Sequence, residues 1–239
     1  MGNGIYKAVS GSVAQMKNLD VLANNLAHVD TPGFKADALR FEEALDNAKK
    51  GTKFVDTPGT SVRMTQGALR KTDNPLDVAL TGDGFLVVDT PDGSRLTRAG
   101  RLMIAHDGTL QTAAGLPVQG MSGTINVPPA LDGNRAAITI NGSGQVMRGD
   151  QIAGQLKVLS ARGDQLIKSG ADMFDAVGGV DALGTTAEPH VMQGHLEDAN
   201  VNPVVAMTQI ITVQRTFEAL QQAVRTYREV DGQSARRMR

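Results

Sequence analysis

A hydrophobic repeat with alternating spacings of four and three residues occurs at both ends of this 239-residue chain. Near the N-terminus the repeat consists of Ile5, Val9, Ser12, Met16, Leu19, Ala23 and Leu26. Near the C-terminus it consists of Ala206, Ile210, Val213, Phe217, Leu220, Val224 and Tyr227. Residues at these spacings share one side of an α-helix, like the a and d positions of a coiled coil. We therefore expect two long terminal helices, each with an apolar stripe that needs a partner helix.

Local signals indicate where these helices begin and end. The first helix is predicted from about Asn3 to about Val29, because the Thr31-Pro32-Gly33 sequence disfavours helix and suits a type II turn. The second helix is predicted to begin at Asn202-Pro203, where the missing N–H of proline costs little. The stripes could pair with each other inside one chain. Their strict a and d spacing favours contacts between chains instead, because a helix in a globular core carries a broader apolar face.

The middle of the chain is rich in glycine and in turn sequences. Short apolar runs between these turns predict an antiparallel, barrel-like or sandwich-like β domain. Asp107-Gly108 and Asn141-Gly142 are hairpin signals. Strands are predicted at Phe85–Val88, Arg95–Arg98, Arg101–Ile104, Pro117–Gln119, Thr124–Val127, Ala137–Ile140, Gln145–Arg148 and Gly154–Leu159. The predicted fold class is therefore α+β, with long terminal helices in a coiled-coil-like pair and an inserted antiparallel all-β domain joined by extended linkers.

These elements define five predicted segments along the chain. They are an N-terminal helix at 1–35, a linker region at 36–75, the β domain at 76–186, a return linker at 187–201 and a C-terminal helix at 202–239. Within the linker region, Ala36–Lys49 is predicted to form a second short helix, and Gly51–Asn74 is predicted to be extended. Ala161–Pro189 is expected to be irregular because it is rich in Gly and Asp.

Composition argues against several classes of function. The 24 Lys and Arg residues balance the 25 Asp and Glu residues, so no basic excess favours nucleic acid. The chain has no Cys, which excludes a disulfide framework and a thiolate metal site. No run approaches the roughly 20 apolar residues needed to cross a bilayer, and no cleaved signal peptide is expected. Composition alone therefore predicts a soluble cytosolic protein that is not inserted in a membrane.

Candidate chemical sites are weak in this sequence. His190 and His195 have nearby carboxylates at Glu188, Glu197 and Asp198, which makes a metal site conceivable, but histidines in solvated loops are favoured. Carboxylates that could form a glycosidase pair lie mostly in turn sequences, which favours a structural role; they are Asp83, Asp89, Asp92 and Asp107. The common nucleotide and serine-hydrolase motifs are absent from the sequence. We predict no catalytic, cofactor-binding or metal-binding residue.

Three blocks of the sequence resemble a known family. Leu22–Ala36, which reads LANNLAHVDTPGFKA, closely resembles the N-terminal signature of bacterial flagellar rod and hook proteins. Leu196–Met207 is similar to the C-terminal signature of that family, and Asn74–Val88 to the start of the β domain in its rod members. The chain departs from the common form of the first signature at His28 and Asp30.

Within that family the proximal-rod members are the best match. Ile5-Tyr6, Met64–Leu69 and Pro75–Leu80 carry this similarity, and the distal-rod members are the alternative. The resemblance implies a structural subunit that is exported unfolded by the flagellar type III apparatus and assembles in the periplasmic rod. This implication replaces the cytosolic expectation, because such an export segment is neither strongly apolar nor cleaved.

The resemblance also implies partners, and the apolar stripes of the two predicted helices provide a set of interface residues. The partners are copies of the chain, other flagellar rod proteins and the export apparatus, with no nucleic acid, small-molecule substrate or cofactor. The predicted assembly interface is Ile5, Val9, Met16, Leu19, Leu22, Leu26, Ile210, Val213, Phe217, Leu220 and Val224. The family-motif residues are Asn24, Asn25, Thr31, Pro32, Gly33, Phe34, Asn200 and Val201. The alternatives are a distal-rod or hook-type axial protein, a hook-cap or scaffolding protein, and a peptidoglycan hydrolase that assists rod assembly.

Overall fold

The computed structural model describes residues 2–40, 43–44, 54–55, 59–129, 137–185 and 190–237. These residues form two long α-helices and many short antiparallel strands, which confirms the α+β class. Helix α1 spans Gly2–Ala27 and helix α2 spans Pro203–Arg237. The chain divides into two compact units. Unit 1 comprises Met1–Ala27, Asp37–Val62 and Val201–Arg239, and unit 2 comprises His28–Ala36 and Arg63–Asn200.

The two helices pack against each other in unit 1. A Cβ atom built on Gly11 would lie 3.5 Å from Leu220 Cδ1. Further along α1, Met16 and Leu19 share a groove with Val213 and Phe217, which come earlier in α2. The helices therefore run in opposite directions. Neither helix is apolar enough over a sufficient length to cross a membrane.

The start of α2 confirms its prediction from sequence. Asn202 is the residue before the helix, and its Oδ1 accepts hydrogen bonds from the backbone N–H groups of Val204 and Val205 at 3.0 and 3.2 Å. An Asn at this position satisfies N–H groups that have no partner inside the helix. Pro203, the first helical residue, has no N–H to satisfy.

Unit 1 also contains two pairs of short strands. Strand β1 at Asp37–Arg40 pairs with β4 at Gly59–Val62, and β2 at Glu43–Ala44 pairs with β3 at Phe54–Val55. The predicted helix at Ala36–Lys49 is therefore wrong for residues 37–40 and 43–44, and residues 41–42 and 45–49 lie outside the described part. The backbone groups of residues 37–40 and 43–44 form hydrogen bonds with strands further along the chain. The local pattern of charged and apolar residues does not encode this pairing.

Unit 2 holds the remaining strands among the described residues. They are β5 Leu69–Lys71, β6 Val78–Thr81, β7 Gly84–Thr90, β8 Gly93–Thr97, β9 Leu102–Ile104, β10 Leu110–Thr112, β11 Gln119–Gly120, β12 Gly123–Thr124, β13 Ile138–Ile140, β14 Gln145–Arg148, β15 Gln151–Gln155, β16 Val158–Ser160, β17 Leu166–Lys168, β18 Met173–Ala176, β19 Gly184–Thr185, β20 His190–Gln193 and β21 His195–Glu197. Two short 3-10 helices occur at Gly163–Gln165 and Val180–Ala182.

The largest sheet of unit 2 is antiparallel and has the strand order β17-β18-β8-β7-β16-β19. A three-stranded sheet has the order β13-β14-β15, and the pairs β20-β6, β21-β5, β9-β10 and β11-β12 complete the pairing among the described strands. The main hydrophobic core includes Val78, Leu86, Val88, Leu110, Val118, Ile125, Val146, Leu156 and Val158. Both predicted hairpins are confirmed: Asp107-Gly108 joins β9 to β10, and Asn141-Gly142 joins β13 to β14.

Other strand predictions were incomplete. Gly154–Leu159 was predicted as one strand, whereas β15 ends at Gln155 and β16 begins at Val158. In Ala161–Pro189, which was expected to be irregular, β17 and β18 add two strands to the edge of the largest sheet, next to β8. Residues 186–189 of that segment lie outside the described part. Strand β5 similarly lies in a segment predicted to be only extended, because β21 pairs with it.

Candidate functional site

The first family motif continues into unit 2 as a compact turn. The backbone N–H of Thr31 donates to the His28 carbonyl at 3.0 Å, and that of Phe34 donates to the Thr31 carbonyl at 3.2 Å. Gly33 has a φ of +74°, a backbone conformation that favours glycine. The turn places Phe34 and Lys35 in the interior, with exposed fractions of 0% and 1%.

Backbone and amide hydrogen bonds join this turn to the second family motif. The N–H of Gly33 donates to the Glu197 carbonyl at 2.7 Å, and the N–H of Asn200 donates to the Phe34 carbonyl at 3.3 Å. Asn200 Oδ1 accepts from the Ala36 N–H at 2.7 Å. Its Nδ2 donates to the carbonyls of Arg63 and Thr65 at 2.7 and 2.9 Å. The points where the chain enters and leaves unit 2 are therefore adjacent.

Three charged side chains lie buried at this junction, and we call Lys35, Arg98 and Glu197 the polar clasp. Lys35 Nζ lies 2.6 Å from Glu197 Oε1, and Arg98 Nη1 lies 3.1 Å from Glu197 Oε2. All three side chains are 3% exposed or less. Glu197 therefore holds two cations at once, one on each carboxylate oxygen.

Further hydrogen bonds surround the polar clasp. Glu197 Oε1 also accepts from the Gly67 N–H at 2.9 Å, and Lys35 Nζ donates to the Thr65 carbonyl at 3.0 Å. Arg98 donates to the carbonyls of Leu80 and Gly82. Burial lowers the pKa of Lys35 and that of Arg98, while hydrogen bonding and charge attraction from Glu197 oppose both shifts. Among the described residues Arg98 Nε has no acceptor, so the cluster is not completely satisfied.

An aromatic contact covers the turn beside the polar clasp. Lys168 Nζ lies 4.0 Å from the centroid of the Phe34 ring and donates to the Lys35 carbonyl at 3.0 Å. The His28 ring also stacks on the Phe34 ring, at a centroid distance of 5.0 Å. These contacts fix the Phe34 ring in the interior of unit 2.

The members of the polar clasp were missed by the site prediction. Lys35 and Glu197 each fall within a recognised family block, so a charged residue inside a matched block was an available signal. Arg98 had no such signal, because its sequence neighbours read only as an ordinary strand. Glu197 is 162 residues from Lys35 and 99 residues from Arg98, so only the tertiary fold reveals their association.

The predicted interface residues of α1 fall into two groups in unit 1. Val9 and Met16 are 42% and 53% exposed, whereas Leu19, Leu22 and Leu26 are half-buried. The side chain of Ile5 lies outside the described part. Between these positions Ser12 is buried and donates through its hydroxyl to the Ala8 carbonyl at 2.8 Å.

The predicted interface residues of α2 lie on its less exposed side. Val213 and Val224 are buried, and Ile210, Phe217 and Leu220 are half-buried. A groove of about 360 Å³ follows part of the helix pair. Its lining residues are Gln15, Met16, Leu19, Val213, Gln214, Phe217 and Glu218. We call it the helix-pair groove.

The remaining motif residues occupy varied positions. Asn25 is buried in unit 1, where its side-chain amide forms two hydrogen bonds of 2.8 Å with the backbone N–H and C=O of Asp37 in β1. Asn24 is exposed, and Thr31, Pro32 and Val201 are half-buried. The two asparagines of the motif therefore differ, because only Asn25 anchors a strand to the end of α1.

Residues considered for chemistry have local structural partners. Asp89 accepts hydrogen bonds from Ser94 and Gln119 at 3.0 and 2.6 Å, and Asp107 accepts from the Thr109 N–H at 3.0 Å. The Thr109 bonds lower the pKa of Asp107. His195 Nδ1 lies 2.9 Å from the Gln193 carbonyl. Within the described ranges, no group of three or more His, Asp or Glu side chains could hold a metal ion.

Comparison with known proteins finds flagellar family profiles along the chain. Residues 5–35 match a profile described as flagella basal body rod protein. Residues 79–148 match the flagellar hook protein FlgE/F/G D1 domain, and residues 192–237 match the flagellar basal body rod FlgEFG protein C-terminal profile. The first and last matches contain the two motifs that meet at the polar clasp.

Curated relatives match over nearly the whole length. The flagellar basal-body rod protein FlgF of Escherichia coli is 36% identical over 236 residues, which cover 91% of each chain. FlgF of Salmonella typhimurium is 34% identical over 250 residues, which cover 98% of this chain and 97% of the relative. The flagellar basal-body rod protein FlgG of Bacillus subtilis is 27% identical over 257 residues, which cover 96% and 97%. This chain therefore belongs to the family of flagellar basal-body rod proteins.

Proposed function

We propose that this protein is a structural, non-enzymatic subunit of the bacterial flagellar basal-body rod, in its proximal part, and that it assembles through its terminal helices. The observation that carries the proposal is the full-length relationship to FlgF proteins, at 34% identity over 98% of this chain in one case. FlgG relatives match at 27% and 31% in two cases, which makes a distal-rod position the alternative. Its partners are copies of itself and other rod proteins.

The arrangement of unit 1 supports a role for the terminal helices in assembly. In our proposal α1 and α2 form a coiled-coil-like pair in the rod core, with the β domain inserted between them in sequence. Several large apolar side chains of this pair remain exposed, including Val9, Met16 and Met207 at 42%, 53% and 53%. Burying one such side chain contributes roughly 1.5–3 kcal/mol, so contacts with neighbouring subunits would stabilise the assembly.

The polar clasp gives unit 2 a role in this proposal. Its Lys35–Glu197 contact of 2.6 Å ties the segment that follows α1 to the segment that precedes α2, and the neighbouring hydrogen bond between Ala36 and Asn200 at 2.7 Å adds to this tie. A subunit that transmits torque needs such ties, because force applied at a terminal helix must reach the rest of the chain without unravelling it. Export as an unfolded chain through the type III apparatus, without a cleaved signal peptide, completes the proposal.

Aspartate substitutions in the helix pair test the proposed function. We expect Leu19→Asp and Phe217→Asp to abolish rod assembly and swimming in a flagellated strain whose own copy of the gene is deleted. Both residues are half-buried and line the helix-pair groove, so each variant places a carboxylate where a neighbouring subunit is proposed to pack, and covering it without a partner is strongly unfavourable. Ile152→Asp is the matched control, because Ile152 is 63% exposed in unit 2 and should tolerate the charge.

Two measurements separate the outcomes. Isolated basal bodies are examined for the subunit by immunoblotting, and swimming is scored in soft agar. Basal bodies that contain no wild-type subunit would contradict a structural role in the rod. Normal swimming of both helix variants, with the subunit present in their basal bodies, would contradict assembly through the terminal helices.

A further inference from the structure

The last part of unit 2 lies across its first part. Residues 190–200 comprise β20, β21 and the residues that follow them, and we call this stretch the closing segment. Strand β20 pairs with β6, and β21 pairs with β5. Among the described strands, β5 and β6 have no other partner strand. The first two strands of unit 2 are therefore paired only by the closing segment.

The closing segment also fills part of the interior. Its Leu196 is completely buried, and its Val191 belongs to the main hydrophobic core. The N–H of Val191 donates to the Gly142 carbonyl at 2.9 Å, which holds the segment against the hairpin between β13 and β14. A Cβ atom built on Gly67 would overlap the Asp198 carbonyl oxygen, so the two backbones are in direct contact. Until these residues are in place, the interior of unit 2 stays open at its first strands.

The charges of the polar clasp make the early part of unit 2 depend on the closing segment. Lys35 and Arg98 are both buried, and among the described residues Glu197 supplies the only carboxylate that pairs with either of them. Burying a cation without a partner is strongly unfavourable. Before Glu197 arrives, both cations are therefore more stable in water than in the interior of unit 2.

The central strands of unit 2 do not use the closing segment. Strand β7 pairs with β8 through a tight turn and with β16 on its other side. In the polar clasp, by contrast, Glu197 is 162 residues from Lys35, and its hydrogen bond to Gly67 spans 130 residues. Closing a longer loop costs more conformational entropy, and contacts between distant residues form slowly. This difference favours early pairing of β7 with β8 and late arrival of the closing segment.

We propose that the closing segment is the last part of unit 2 to fold, and that the polar clasp keeps unit 2 open until Glu197 is available. Glu197 is residue 197 of 239, so a chain made from its N-terminus contains both cations long before their carboxylate. The folding order rests on the contacts alone. Its use rests on the proposed function, because a chain that is exported unfolded benefits from a fold that closes late.

Pulsed hydrogen exchange during refolding of the full-length wild-type protein from urea tests the folding order. The backbone N–H groups of Thr72, Gly194 and Asp198 each form a hydrogen bond of 2.8 Å between the closing segment and the early part of unit 2. We expect peptides that carry these groups to become protected at least tenfold later than peptides from β7 and β8. Mass spectrometry of peptic fragments measures both times in one experiment.

Two variants make the order specific. Glu197→Gln should change the protection rate of β7 and β8 less than twofold, and should slow protection of the closing segment at least fivefold. Val88→Ala is the contrasting variant, because Val88 is buried in the core on β7. It should slow protection of both regions at least threefold, since the closing segment docks on strands that are already paired. The wild-type comparison stands by itself if either variant fails to fold.

Early or simultaneous protection of the closing segment in the wild-type protein would overturn the proposal. Equal slowing of β7, β8 and the closing segment by Glu197→Gln would also overturn it, because the polar clasp would then form together with the central sheet. Neither result bears on membership of the rod, which the immunoblot of isolated basal bodies tests separately. Basal bodies without the subunit would contradict the proposed function and the use in export, whereas the measured folding order would stand.

Discussion

At the scale of single residues, Glu197 is the most consequential side chain of unit 2. It accepts a hydrogen bond from a backbone N–H and pairs with both Lys35 and Arg98, at 2.6 and 3.1 Å. Removing one member of a buried ion pair is strongly destabilising because the remaining charge is left without a partner. The three residues of the polar clasp are therefore not equivalent.

Glu197→Gln should destabilise the protein more than Lys35→Met. The first change leaves two buried cations without a carboxylate partner and should lower the free energy of unfolding by about 3–5 kcal/mol. The second leaves Glu197 paired with Arg98, and the Thr65 carbonyl still accepts from Asn200 at 2.9 Å. We expect it to cost about 1–3 kcal/mol. Urea unfolding followed by far-ultraviolet circular dichroism measures both, and equal costs would show that Lys35 matters as much as the carboxylate.

Comparing Gly33 with Gly82 distinguishes the energetic cost of a left-handed backbone from the cost of steric crowding. Both have positive φ angles, of +74° and +85°. A Cβ atom on Gly33 would lie 2.3 Å from the Arg98 carbonyl carbon, whereas a Cβ atom on Gly82 meets nothing within 4 Å. Gly82→Ala should cost about 1–2 kcal/mol from the left-handed backbone alone. Gly33→Ala should cost at least about 3 kcal/mol in the same unfolding assay, because the backbone must also shift. Similar costs would argue that the turn can move away from Arg98.

At the scale of secondary-structure elements, α2 begins at a well-defined cap and α1 depends on packing. Gly11 lowers the helix propensity of α1, so α1 relies on its packing against α2. This packing reaches Gly11, where a built Cβ atom would be in ordinary contact, 3.5 Å from Leu220 Cδ1. The start of α2 needs no such contact, because Asn202 satisfies two backbone N–H groups locally.

Asn202→Ala should shorten or weaken the first turn of α2. Loss of an N-cap side chain costs about 0.5–2 kcal/mol, and Asp or Ser at the same position restores most of it. The measurement is the urea midpoint of the helical circular dichroism signal for the Ala, Asp and Ser variants. An Ala variant as stable as the wild-type protein would indicate that Pro203 alone sets the start of the helix.

At the scale of the whole molecule, the two units have very different interiors. The core of unit 2 contains many large buried side chains, among them Leu86, Leu110 and Leu156. In unit 1 the buried apolar side chains within the described part of the helices, residues 8–27 and 203–230, are small; they are Ala8, Ala14, Ala206, Val213 and Val224. Because burial of apolar surface is the main stabilising contribution, we expect unit 1 to be the less stable of the two.

Tyrosine fluorescence should report the loss of unit 1 by itself. The chain has two Tyr and no Trp, and both tyrosines, Tyr6 and Tyr227, lie in the terminal helices. We expect the tyrosine signal to change at lower urea concentration than amide protection in β7, a central strand of unit 2. A single coincident transition for both probes would mean that the two units unfold together.

The sequence by itself determined the terminal helices, the start of α2, the two hairpins of unit 2 and the family. These features depend on residues that are close in the chain, such as the repeat in α2, the cap at Asn202 and the Asp107-Gly108 turn. Only the tertiary structure decided the strands at 37–40 and 43–44, the meeting of Lys35, Arg98 and Glu197, and which part of each helix stripe is exposed. These depend on contacts between distant segments, up to 162 residues apart for Lys35 and Glu197, and a local pattern carries no information on which distant segment will supply the partner.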